Sequence, residues 1–158
     1  MALLLAAAAC SGEGPAGAAA EAEVWVDVGT SGGADGLAFE RLEPGGPVPL
    51  YTFGQGGTHA LLAVRCHGLG ERAFVSLTIT NPASGSAVTA PAGQSPRLLA
   101  CESGDICELL PLLVMTGGLV PPGADREGLS VVVRAEVSNL AGTAASAERE
   151  AVLQAAAL

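Results

Sequence analysis

The strongest constraint in this sequence is a two-residue rhythm. In residues 60–66, Ala60, Leu62, Val64 and Cys66 share one parity. Leu61, Ala63 and Arg65 take the other, with His59 just before them. Successive side chains of an extended chain point to opposite faces, so this alternation describes a strand with one buried face. On that reading Arg65 is solvated and tolerates charge reversal, whereas Leu62 and Val64 do not. The rhythm returns in residues 73–80, with Val75, Leu77 and Ile79 inward. It returns again in residues 129–138, with Leu129, Val131, Val133, Ala135 and Val137 inward.

Weaker versions occur at residues 24–28, 37–42, 48–53, 86–90, 94–100 and 143–153. Pro49 removes a ladder donor and assigns the 48–53 strand to a sheet edge. The apolar run 108–115, broken by Pro111, reads as a strand or one helical turn, the strand being preferred. Between these runs lie most of the 22 glycines and 10 prolines. They supply turn chemistry at Glu43-Pro44-Gly45-Gly46-Pro47, Asn81-Pro82-Ala83-Ser84-Gly85 and Asn139-Leu140-Ala141-Gly142. Residues 54–58 form a glycine-rich turn into the central strand. Short strands at this spacing predict an all-β sandwich or barrel. A chain of 158 residues fits one such domain with a short appendage.

Sixteen carboxylates oppose seven cations, all of them arginine, for a net charge of −9. No basic cluster is present to neutralise phosphates, which argues against a nucleic-acid partner. The acidity is read as solubility, with a divalent cation in acidic loops as the sharper alternative. Five aromatics, Trp25, Phe39, Tyr51, Phe53 and Phe74, leave the core to aliphatic side chains and give little material for a large aromatic interface.

The first residues read as an address. Residues 1–9 are a short apolar run ending in four alanines, the pattern of a signal peptide and too short to span a bilayer. Ala7-Ala8-Ala9-Cys10 resembles the lipobox of bacterial lipoproteins. The resemblance implies cleavage before Cys10, lipidation of its sulfur, and a protein held in the bacterial cell envelope, facing the periplasm or the cell exterior. The sequence departs from that pattern at Ala7, where leucine is usual, and in lacking a positively charged start. An ordinary cleaved secretory signal is the alternative. Residues 10–23 are small and polar, a flexible tether. Residues 24–158 are the folded domain.

Val133-Arg134-Ala135-Glu136-Val137-Ser138-Asn139-Leu140-Ala141-Gly142-Thr143 resembles the final hairpin of immunoglobulin-like domains. That likeness implies an immunoglobulin-like β-sandwich of about seven to nine antiparallel strands. Ala135 and Val133 stand where antibody-type domains carry their cysteine and tyrosine, so the antibody-style disulfide is not expected. Gly54-Gln55-Gly56-Gly57-Thr58-His59 is similar to a segment of uncharacterised bacterial envelope proteins and implies no activity.

With Cys10 assigned to lipid, Cys66, Cys101 and Cys107 remain. Export favours oxidation of one pair. A clip between Cys101 and Cys107 closes a short loop around Gly104 and is preferred. A staple from Cys66 to either one is the alternative. His59 and His67 lie about 25 Å apart on an extended strand and cannot share a metal; His59 is read as a turn residue bonding the backbone. Gln55 and His59 are the candidate ligand-binding residues. Asp27 with Asp35, or Asp125 with Glu127, are candidate calcium carboxylates, without the dense alternation of a calcium loop. No nucleophile elbow, metalloprotease helix or phosphate loop occurs. The expectation is a non-catalytic, lipid-anchored structural or protein-interaction module with no cofactor and no metal. The alternative is a metal- or small-ligand-binding envelope domain using His59, His67 or the acidic loops.

Overall fold

The structure, a computed structural model, describes residues 23–32, 36–52, 57–88, 96–101, 105–116 and 127–156. The expected signal peptide, Cys10 and the expected tether up to residue 22 lie outside it, as do Gln55, Asp35 and Asp125.

Every regular element among the described residues is a strand: β1 (Trp25–Gly32), β2 (Ala38–Arg41), β3 (Gly46–Thr52), β4 (Thr58–His67), β5 (Arg72–Thr80), β6 (Pro96–Leu98), β7 (Ala100–Cys101), β8 (Ile106–Met115), β9 (Ser130–Asn139) and β10 (Ala144–Ala155). The protein is all-β. The strands form one curled, mixed sheet in the order β2-β1-β4-β3-β10-β9-β5-β6, with β8 branching from β4 and β7 from β8.

The three rhythmic strands form as their alternation dictates. Ala60, Leu62, Val64 and Cys66 of β4 are fully buried, as are Ile79 of β5 and Val133 and Ala135 of β9. Val75, Leu77, Val131 and Val137 join the same aliphatic core. The β9–β10 hairpin turns as its residues require. The Asn139 side-chain oxygen accepts from the backbone N–H of Ala141 and Thr143, and Gly142 takes a φ of 91°.

Five expectations change. The 48–53 strand is not at an edge. β3 pairs with β4 through Leu50–Thr52 and, in parallel, with β10 through Gly46–Leu50. Its prolines fit because alternate residues of a strand face opposite neighbours. The Leu50 carbonyl accepts from Ala156 beyond β10, so Pro47 and Pro49 face the other way, where the β4 ladder has not yet begun. This parallel pair also makes the sheet mixed rather than purely antiparallel.

The predicted 94–100 strand is two pieces. β6 pairs with β5 and β7 with β8, and the buried Leu99 lies where the chain passes from one to the other. Of the expected 86–90 strand, the described residues 86–88 carry a single bridge, between Ala87 and Thr80. Ala63, assigned to the solvated parity of β4, is fully buried. It lies opposite Gly29, and a Cβ on Gly29 would sit 2.7 Å from the Phe39 ring. The outer face there is roofed by an aromatic side chain, which only glycine at position 29 allows.

The run 108–115 is a strand, as preferred. Leu62 lies opposite Leu112 and Val64 opposite Leu109, so Leu110 and Pro111 form a bulge against Ala63. A bulge is one of the few places a strand accepts proline.

Candidate functional site

The densest polar arrangement among the described residues lies on the outer face of β1, β4 and β8. It begins with Asp27, a carboxylate between two inward valines and yet only 5% exposed. Its Oδ1 accepts from the Val28 N–H at 3.0 Å and from Arg149 Nη2 at 2.7 Å. Its Oδ2 accepts from Arg41 Nε at 2.5 Å. One carboxylate thereby ties β1 to β2 and to β10. Burying an ion is costly unless charge and hydrogen bonds compensate it; here two guanidinium groups and one amide do so.

Beside Asp27 on the neighbouring strand stands Arg65, and beyond it Glu108; the three are consecutive ladder positions across β1, β4 and β8. Arg65 Nε donates to Glu108 Oε1 at 2.6 Å. Its guanidinium carbon lies 4.4 Å from the centroid of the Phe39 ring, a cation–π distance. Arg65 is therefore not a bare surface charge. An aspartate there would face Glu108 on one side and Asp27 on the other, so the expected tolerance of charge reversal is withdrawn.

At the end of β4, His67 stacks on Trp25, its partner across the β1 ladder, with ring centroids 5.9 Å apart and planes 11° apart. His67 Nδ1 lies 2.5 Å from the Glu23 carbonyl oxygen. A carbonyl only accepts, so Nδ1 carries the proton in this contact. His67 thus bonds the backbone through its ring. His59 sits half-buried at the other end of β4, between Tyr51 and Met115 in the ladder. The two histidines are not brought together. Among the described residues no group of three or more His, Cys, Asp or Glu side chains is placed to hold a metal ion. Asp27, offered as a calcium ligand, spends both oxygens on arginines.

Cys101 and Cys107 are disulfide-bonded, as preferred from the sequence, and Cys66 is a buried free thiol. Burial pushes the Cys66 thiol up to about 11. On the β9–β10 hairpin, Arg134 bonds Glu136 and Glu148 with all three side chains about half exposed.

Sequence reasoning missed the Arg41–Asp27–Arg149 clamp. Two signals for it existed. Asp27 interrupts a valine strand, and Arg149 occupies the inward parity of β10 between Ala147 and Ala151. Neither signal identifies a partner, since the residues lie far apart in the chain. Chemically the arrangement is a strap. Its carboxylates are held by cations. Comparison with known protein families, curated proteins and solved structures gave no match.

Proposed function

We propose that this chain is a non-catalytic, lipid-anchored protein of the bacterial cell envelope, and that its body is an immunoglobulin-like β-sandwich serving as a structural or protein-interaction module. The observation that carries the sandwich reading is the way the ladders divide. One set of neighbours runs β2-β1-β4-β8-β7 and the other β3-β10-β9-β5-β6. The sets meet through the short β3–β4 pairing of Leu50–Thr52 with Thr58–Ala60. β1 approaches β9 and β10 without pairing to either, as strands of facing leaves do. A strand running parallel to the last strand, and a chain that crosses leaves between β6 and β7, fit immunoglobulin-like connectivity.

The anchoring reading rests on the Ala7-Ala8-Ala9-Cys10 pattern and on the small, polar residues after it. The non-catalytic reading rests on the charged strap, whose carboxylates are occupied in holding strands together. Cys10→Ala tests the attachment. It is expected to move the protein from the membrane fraction to the soluble one and to abolish fatty-acid labelling, because one lipidated cysteine is the proposed anchor. A variant that stays in salt-washed membranes overturns the reading.

A further inference from the structure

Three cysteines lie in one row across three strands. Cys66 on β4 is the ladder partner of Cys107 on β8, and Cys107 is the ladder partner of Cys101 on β7. Directly opposed residues of an antiparallel pair project to the same face with Cβ atoms about 4.5–5.5 Å apart. Cys107 therefore has a cysteine beside it on both sides. It is bonded to one of them, Cys101, with α-carbons 4.0 Å apart. The other, Cys66, is a free thiol with no solvent exposure, whereas Cys101 is exposed at the rim.

We propose that these residues form an internal thiol–disulfide relay that delivers a reactive thiol to the surface at Cys101, a modification site for thiol-bearing or electrophilic partners. Cys66 gives its proton to water and its sulfur attacks Cys107 Sγ. The Cys66–Cys107 bond forms as the Cys107–Cys101 bond breaks. Cys101 leaves as a thiolate and takes a proton from solvent. One disulfide and one thiol are present before and after, so neither oxidant nor reductant is consumed. The geometry favours Cys107 over Cys101 as the sulfur attacked, because Cys101 lies two strands away from Cys66. The exchange changes what the disulfide does. A clip across a six-residue separation becomes a staple between β4 and β8, and the free thiol moves from the core to the rim.

The surroundings of Cys66 set the pace. Val26 flanks it across the β1 ladder and Cys107 across the β8 ladder. Asp27, Arg65, His67 and Glu108 belong to the opposite parity of their strands. Arg149, at the inward parity of β10, is engaged by Asp27, and burial raises the Cys66 pKa. The relay is slow at neutral pH and quickens as pH rises, because only the thiolate attacks.

The test is alkylation of the folded, full-length protein with N-ethylmaleimide, each cysteine peptide being mapped without reduction so that Cys10 is read separately. The expected result is an adduct on Cys101 together with a Cys66–Cys107 cross-link, accumulating about tenfold faster per pH unit between pH 7 and 9. The Cys66→Ala variant should give no adduct on Cys101. An adduct on Cys66 with Cys101–Cys107 intact overturns the relay. So does protection of all three residues until denaturant is added. The Cys101→Ser variant supplies a second reading that does not depend on rate. Exposed to oxidised glutathione while folded, it should form Cys66–Cys107; a folded variant that keeps two thiols overturns the proposal.

Discussion

Two charged clusters, one centred on Asp27 of β1 and the other on Arg134 of β9, use the same residue types to different effect. Arg134 bonds Glu136 and Glu148 while all three side chains stay about half exposed. That cluster sits on the outer face of a hairpin whose shape is already fixed by alternation and by the Asn139–Gly142 turn. Asp27, with 7% of its side chain exposed, is bonded by arginines from β2 and β10, neither of which is its neighbour in sequence. The first cluster decorates local structure, and the second joins elements that no local rule brings together. The lesson is that a charge's effect on stability depends on whether its partner is supplied by the same hairpin or by a distant strand.

The sharpest way to test that contrast begins with a control in which the halves should agree. Leu62→Asp on β4 and Val133→Asp on β9 each put a carboxylate into the core, costing about 5 kcal/mol or more and abolishing the cooperative melt. A folded, cooperative melt for either would mean that half of the molecule has no tight core.

The halves should then part. Asp27→Ala leaves Arg149 half-buried without its carboxylate and should cost about 3 kcal/mol in chemical denaturation. Glu136→Ala, on the exposed outer face of its hairpin, should stay within about 0.5 kcal/mol of wild type. Equal effects would erase the distinction drawn above.

A third prediction uses pH. Burial raises the Cys66 thiol to about 11, against an ordinary 9.0. Between those values the unfolded chain releases its proton first, so stability is complete below about pH 9 and falls as pH rises toward 11. The loss amounts to about 2–3 kcal/mol by linkage. Cys66→Ala should remove that part of the alkaline decline, read from urea midpoints at pH 8 and pH 10.5.

Arg65→Asp should cost about 2 kcal/mol, through the lost Phe39 contact and repulsion from Glu108, with Arg65→Ala in between. A neutral Arg65→Asp would restore the simple solvated reading of that position. The smallest effect is reserved for Arg134→Ala, expected to leave the urea midpoint unchanged.

Alternation by itself fixed the all-β class, the extents of β4, β5 and β9 and the burial of Leu62, Val64, Cys66, Leu77, Ile79 and Val133, because a period of two leaves one choice of face. Turn chemistry fixed the β9–β10 hairpin, since Asn139 and Gly142 act on their own backbone. Loop closure sufficed for Cys101–Cys107, six residues apart. Other features depended on neighbours remote in sequence. Pro49 argues for an edge only when both sides of a strand are assumed to be paired along the same residues, and β3 divides its partners between its two ends. Ala63 and Arg65 have outward parity, but outward is solvated only where nothing roofs the sheet, and Phe39 does so above Gly29. Asp27 finds Arg149 across 122 positions of chain, and Cys66 finds Cys107 across 41 by way of a β8 ladder that runs through a bulge. Side-chain parity is a local property of the backbone and is written in the sequence; which strand lies alongside is a property of the folded sheet, and the tertiary structure decided it.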